Sequence, residues 1–243
     1  MTLIFAHRGL HITQRENTVP AFLAAAALGV DGVELDVRRA LDGALVVHHD
    51  AAIEGRSIGE TRSSELLDAV PTLEEALAAC AGLKVNVEIK NIRDPSEPAY
   101  DETGDFARQV VTHLHDAGWA DSVLISCFDQ DTCSVVRSCD PSMEVGWLLH
   151  WALDVDEALN QAFDLGFDAV HPFFKRLDAR TAARAHELDL ALNVWTVNTQ
   201  SDIEAMFALG VDGIITDDPA TALAVVRRSP PVRPSPDALD WRP

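Results

Sequence analysis

The sequence predicts one α/β domain closed as a (β/α)8 barrel, the TIM-barrel architecture, with a short hairpin or insertion after the second strand. Three observations lead there. Short apolar runs alternate with amphipathic stretches, the pattern of repeated β-α units around a parallel sheet. The apolar runs number eight. At 243 residues and 47% hydrophobic, the chain lies in the range of one such barrel and can fill its core.

The first run, Leu3 to Ala6, stops at His7-Arg8-Gly9, and Asn17 to Leu28 then carries a helical period that closes on Gly29. Glycine is the residue that takes the left-handed turn at a helix end. The second run, Val33 to Val37, is followed by Asp42-Gly43, a tight-turn dipeptide, so Ala44 to His49 reads as a hairpin return outside the eightfold count. Thr72 to Ala79 is helical and leads to the third run, Val85 to Ile89. Phe106 to Ala117, ending at Gly118, precedes the fourth run, Val123 to Cys127. Gln130 to Ser138 leads to the fifth, Val145 to Leu149, and Val155 to Leu165, ending at Gly166, to the sixth, Ala169 to His171. Ala179 to Leu188 and Gln200 to Leu209, the latter closed by Gly210, flank the seventh run, Leu192 to Val197. Gly213 to Thr216 is the eighth. Residues 1–228 are therefore assigned to the barrel, and the proline-rich, aperiodic stretch 229–243 to an extended tail that packs Trp241 on a neighbour.

Composition removes several function classes. The formal charge of −20 opposes a phosphate-backbone footprint, which needs concentrated Lys and Arg, so neither nucleic acid nor an anionic membrane is an expected partner. Cys80, Cys127, Cys133 and Cys139 form no C-x-x-C pair, which argues against structural zinc and redox motifs and for a reduced, cytoplasmic chain. No basic n-region precedes His7 and no stretch of ~20 apolar residues follows, so neither secretion nor integral membrane association is expected.

Polar residues at the strand ends carry the chemistry. Residues two apart on a strand share a face, so Glu34 and Asp36 point one way while Val33, Leu35 and Val37 point the other. Two carboxylates side by side among apolar positions repel unless a cation or protons lie between them. On the third run Glu88 and Lys90 share a face opposite Val87 and Ile89, and Glu88 completes an oxygen triad. Carboxylate-only ligation favours one hard divalent cation, Mg²⁺ or Ca²⁺, over Zn²⁺. The hairpin return brings His49 back over the carboxyl ends of the barrel strands, where barrel enzymes keep their active sites, and His7 and Arg8 end the first strand on the same face. Convergence of imidazole, guanidinium, ammonium and carboxylate on one rim is the pattern of a metal-assisted phosphate site.

These motifs resemble the glycerophosphodiester phosphodiesterase family. Its N-terminal signature is matched by His7-Arg8-Gly9, Glu16-Asn17-Thr18, Glu34-Leu35-Asp36, Asp42-Gly43 and His49-Asp50. Later markers are Pro71 to Leu77, Val87-Glu88-Ile89-Lys90, Trp195-Thr196-Val197-Asn198 and Gly213 to Pro219, so the similarity runs to about Val226. The resemblance implies a metal-dependent enzyme that hydrolyses a small glycerophosphodiester substrate to sn-glycerol 3-phosphate and an alcohol. It implies Glu34, Asp36 and Glu88 as metal ligands, His7 and His49 as general acid and base, and Arg8 and Lys90 as phosphate contacts. Trp195 and Phe128 are expected as an apolar wall beside the glycerol, with burial in the core as the competing reading. Which histidine is acid and which is base stays open, as does attack by water against attack by the substrate's own 2-hydroxyl. Two other readings remain: a barrel that cleaves lysophospholipids or related lipids, and a catalytically silent binder of phosphorylated glycerol ligands.

Departures from the family pattern are few. Arg15 stands where relatives usually carry Pro, Cys127 where they commonly carry Ser, and the segment Ala51 to Val70 is shorter than the helical insertion of many relatives. The long loop Asn91 to Asp105, with the single tyrosine, Tyr100, reads as a lid or as an acidic connector. His48 points away from His49 and is assigned to packing; His171, ending the sixth strand, is a candidate for the pocket; His11 matches no motif.

Overall fold

A computed structural model of the protein describes residues 1–66, 70–94, 97 and 99–228; the proposed tail at 229–243, with Trp241, lies outside them. The chain order is β1 (Leu3–Ala6), α1 (Val19–Leu28), β2 (Gly32–Arg39), β3 (Leu45–Val47), the two-residue strands β4 (Ala52–Ile53) and β5 (Arg56–Ser57), α2 (Leu73–Ala79), β6 (Lys84–Ile89), α3 (Asp105–Asp116), β7 (Val123–Cys127) and α4 (Gln130–Cys139). Then follow β8 (Glu144–Leu148), α5 (Val155–Asp164), β9 (Ala169–His171), α6 (Ala179–Glu187), β10 (Ala191–Val194), α7 (Gln200–Leu209), β11 (Gly213–Thr216) and α8 (Pro219–Arg228). The parallel strands run β1-β11-β10-β9-β8-β7-β6-β2, and pairing of β1 with β2 closes the cylinder. Eight parallel strands with helices between them form the expected (β/α)8 barrel.

Local chemistry explains the element boundaries. Thr18 caps α1, with Pro in the first turn and Gly29 in the left-handed conformation at its end. Thr72 and Glu75 make a reciprocal capping box on α2. β2 extends to Arg39, beyond the five residues expected, because β3 pairs antiparallel with Val37, Arg38 and Arg39 through the Asp42-Gly43 turn. This hairpin rises past the barrel rim and returns at the level of Asp36, whose carbonyl accepts the His48 backbone N–H at 2.9 Å.

The structure differs from the sequence reading at two elements. The final helix, α8, has no counterpart there, since the helical patterns read from the sequence extend only as far as Leu209. Here Asp218 accepts from the Thr221 N–H at 3.1 Å and Pro219 opens the first turn, where its missing N–H is no loss. The seventh run was extended to Val197, but β10 ends at Val194. Trp195 leaves the ladder for an isolated bridge to Phe173, and its indole N–H donates to the His171 carbonyl at 2.6 Å.

Apolar residues of the outer strand faces and the inward faces of the helices form one continuous core, with Leu35, Ile89, Ile125 and Leu114 fully buried. Within the barrel, His171 is 0% exposed, accepts from the Asn193 amide at 3.0 Å through Nε2, and fills the space left by Gly146. A Cβ at Gly146 would lie 2.4 Å from that nitrogen, so only glycine fits. His171 is therefore barrel filling rather than a pocket residue. Burial pushes its pKa down from 6.5 to about 3. A histidine depressed in this way supports the fold fully above pH 6.5, and that support is lost as pH falls toward 3, because the unfolded chain takes up the proton first. At about 1.4 kcal/mol per unit, the window spans a few kcal/mol. A His171→Gln variant is expected to show a smaller loss of stability than the native chain between pH 7 and pH 4 in denaturant titrations. Equal losses would refute the assignment.

Candidate active site

The acidic half of the site follows from strand register. In the parallel β2–β6 pair, Asp36 lies opposite Glu88 and Glu34 opposite Asn86, so the three carboxylates meet at the carboxyl end of neighbouring strands. One oxygen from each lies within 4.8 Å of the others. They are almost out of water, with Glu34 3% exposed, Asp36 1% and Glu88 8%. Burial, with repulsion from Asp36 and Glu88, drives the Glu34 carboxyl well above its ordinary range. Asp36 goes the other way: burial works against its charge, but Lys90, His49, Arg8 and the Asn17 amide together hold it at about 2. Glu34 Oε1 and Asp36 Oδ1 are buried without a hydrogen-bond partner among the described residues. Two orphaned acceptor oxygens in an all-oxygen cluster suit a hard divalent cation, which would offset the burial and repulsion that raise Glu34.

Basic groups border this cluster. Lys90 Nζ lies 2.7 Å from Glu88 Oε1 and 3.4 Å from Asp36 Oδ1. Burial disfavours its charge, yet the two carboxylates outweigh burial and raise its pKa. Arg8 sits in the left-handed region at φ 56°, which aims its backbone N–H at Glu34 Oε2, 3.0 Å away, and its guanidinium at Asp36, 3.5 Å, and Glu16, 3.0 Å. Gly9 makes this bend possible: at φ 82° it packs against Ala21, where a Cβ would come within 2.9 Å of the backbone.

The two histidines approach from opposite sides of the chain order. His7, ending β1, holds Asp217 at 2.6 Å through Nδ1, while its Nε2 lies 3.9 Å from Glu34 Oε2. Asp217 is fixed in turn by the Asn198 amide at 2.5 Å and also contacts His11 Nε2 at 3.0 Å. Burial alone would raise the Asp217 carboxyl, but His7, His11 and Asn198 depress it strongly. His49, on the hairpin return, bonds Asp50 at 2.8 Å through Nδ1. Both histidines line a cleft of 140 Å³ with Arg8, Glu34, Glu88 and Lys90, and Phe128 and Trp195 close one wall in an edge-to-face pair 5.4 Å apart. Every residue expected at the site reaches this cleft except Asp36, which lies beneath it between Lys90 and Asn17.

Three functional neighbours escaped sequence reasoning. Asn17 bonds Asp36 in both directions, donating to Oδ2 at 2.7 Å and accepting the Asp36 N–H at 3.3 Å. Its place in the Glu16-Asn17-Thr18 motif was the available signal. Asp217, in the motif after the eighth strand, orients His7. Arg38 donates through Nε to the His49 carbonyl at 2.9 Å and grips Glu97 at 2.7 and 2.8 Å, tying the hairpin to the loop that follows β6. Tyr100 of that loop does not line the cleft; its hydroxyl receives Arg93 at 2.9 Å. Cys127, in place of the usual Ser, donates to the Ile89 carbonyl at 3.1 Å, and burial pushes its thiol up to about 12, so it serves as structure rather than as a nucleophile.

Comparison with known proteins identifies the family and the fold. A model of the Glycerophosphoryl diester phosphodiesterase family matches residues 7–221. A glycerophosphodiester phosphodiesterase of Caldanaerobacter subterraneus subsp. tengcongensis is 30% identical over 246 residues, covering 93% of this chain and 98% of its own. Among solved structures, a glycerophosphodiester phosphodiesterase from Parabacteroides distasonis is 28% identical with a TM-score of 0.82, covering 93% of this chain and 98% of that one. A phosphodiesterase from Oleispira antarctica, solved in complex with the product sn-glycerol-3-phosphate, shares the fold at a TM-score of 0.80 and 20% identity, over 93% of this chain and 97% of that one.

Proposed function

Because this chain belongs to the glycerophosphoryl diester phosphodiesterase family, and is a glycerophosphodiester phosphodiesterase, we propose that it cleaves glycerophosphodiesters to sn-glycerol 3-phosphate and an alcohol with a divalent cation held by Glu34, Asp36 and Glu88. The observation that carries the metal is the buried triad with its two orphaned oxygens. When bound, such a cation offsets charge on the phosphoryl oxygens as the phosphorus centre is attacked. A product-bound relative of the same fold supports the identity of the released phosphate.

The chain's own residues divide the remaining work. Arg8 and Lys90 supply positive charge to the non-bridging oxygens of the diester, and their mixed pairing with carboxylates keeps both aimed into the cleft. His7 and His49 exchange the two protons: one imidazole takes the proton of the attacking oxygen and the other gives one to the departing alkoxide. Asp217 keeps a proton on His7 Nδ1, which leaves Nε2 toward the cleft with a lone pair for the reaction. Phe128 and Trp195 offer an apolar face to the carbon side of the glycerol, and Asn17 fixes Asp36 among its ligands. We take the substrate to be a small diester, because a charge of −20 disfavours docking on anionic surfaces. Four unpaired cysteines, three of them buried, suit a reducing compartment, and we place the enzyme in the cytoplasm.

The test is release of glycerol 3-phosphate from a panel of glycerophosphodiesters after chelation, and again with Mg²⁺ or Ca²⁺ restored. Activity should vanish with chelator and return with one of the two ions. Glu88→Gln is expected to weaken cation affinity and turnover together, each by about tenfold or more. Full activity in chelator would remove the cation from the mechanism.

A further inference from the structure

We propose that His7, His11 and Asp217 form a second metal site, of the zinc class, whose occupancy silences His7; the silencing rests on the role given to His7 above, whereas the site itself does not. One ligating atom from each of the three residues lies within 4.8 Å of the others. The cluster differs in kind from the carboxylate triad. Two imidazole nitrogens and one carboxylate oxygen suit Zn²⁺ and its borderline-soft neighbours, whereas three carboxylates suit a hard ion.

The geometry is close to what such an ion requires. Asp217 Oδ1 stands 2.6 Å from His7 Nδ1 and 3.0 Å from His11 Nε2. Bonds of about 2.0–2.2 Å at tetrahedral angles place ligand atoms about 3.3 Å apart, so the ion enters as Asp217 Oδ1 moves about 0.7 Å from His7 and about 0.3 Å from His11. Asp217 is braced from behind by Asn198 on Oδ2, which leaves Oδ1 as the ligating oxygen. The loop carrying His11 is pinned where the Leu10 N–H meets the Ala21 carbonyl at 2.9 Å. The three side chains keep 18%, 23% and 31% of their surface in solvent, enough for a water in the fourth position.

Silencing follows from the tautomer. Catalysis uses His7 with its proton on Nδ1, shared with Asp217, and a lone pair on Nε2. A metal ion on Nδ1 displaces that proton, and the neutral ring then carries its hydrogen on Nε2, where it can neither accept a proton nor readily release one. His11 has no part in the proposed reaction, so it is the position at which this site can be removed alone.

The experiment titrates zinc chloride into the enzyme in the presence of saturating Ca²⁺, reading bound zinc and turnover in parallel. The wild type should bind one zinc per chain and lose activity in step. His11→Gln should need at least tenfold more zinc for half-inhibition while its zinc-free turnover stays within twofold of the wild type. Cobalt in place of zinc should give visible absorption bands in the wild type that are lost in the variant, a readout independent of turnover. Equal zinc affinity in the two proteins, absence of zinc binding, or displacement of the zinc by excess Ca²⁺ would each overturn the site. Zinc bound through His11 without inhibition would overturn the silencing, and with it the assignment of proton transfer to His7 Nδ1–H/Nε2, while leaving glycerophosphodiester hydrolysis itself untouched.

Discussion

His49→Ala should abolish turnover, lowering kcat by 10²–10⁴-fold, the range a positioned general acid or base contributes, while cation affinity stays within about twofold. The separation of the two effects is structural. The His49 ring is one-third exposed, its hydrogen-bond partner is the exposed Asp50, and it acts on the triad only through its charge, as a weaker influence on Asp36 than Lys90. The hairpin is held through the His49 backbone, whose carbonyl takes the Arg38 guanidinium, and the alanine variant keeps that carbonyl. Loss of a surface side chain of this kind changes stability by about 0.5 kcal/mol or less. Steady-state kinetics with calorimetric Ca²⁺ titration and a thermal melt check all three quantities. A variant with near-native kcat would remove His49 from proton transfer, and one that melts far below the native chain would make the activity loss uninterpretable as chemistry.

Lys90→Met should be the most destabilising of the site variants in the metal-free protein, by about 3–5 kcal/mol, the usual cost of removing one partner from a buried ion pair. Lys90 lies 8% exposed between Glu88 and Asp36, and its positive charge is the leading influence holding Asp36 ionised against burial. Without it, the three buried carboxylates keep Arg8, Asn17 and the more distant imidazoles of His7 and His49. The melting temperature should fall by roughly 10 °C, at about 2–4 °C per kcal/mol for a chain of this size. Added Ca²⁺ should restore more of the loss in the variant than it adds to the native protein, because the ion then replaces the positive charge that Lys90 supplied to the triad. Turnover should remain low even with the ion, since a contact to the phosphate is gone. Equal metal-free melting temperatures for the two proteins would show that Lys90 does not balance the triad.

The (β/α)8 class, the hairpin after the second strand and the candidate ligand set are legible in the residues themselves. Alternation along Val33 to Val37 and Val85 to Ile89 is a local property, and each strand declares its own two faces. Two helix ends were equally local, through Gly29 and Gly210. Local reading fell short at two places: α8, opened by Asp218 and Pro219, was not assigned, and Trp195 was counted in a strand although its indole pulls the chain toward His171. His171 itself was placed at the mouth because strand position gives height along the barrel but not whether a side chain fills the interior; the empty Cα of Gly146, on another strand, decides that.

What the residues alone determined, then, is which groups stand at strand ends and which face each takes, because those follow from bonds within a few positions. Tertiary structure decided the pairings across the closed barrel: Asp217 with His7 over 210 positions, Arg38 with Glu97 over 59, and Asn17 with Asp36 over 19. Such contacts depend on register and closure, which set distances that no single segment contains. The charge states follow the same division, since Glu34 and Asp36 are two residues apart on one strand yet are driven in opposite directions by neighbours that only folding brings near.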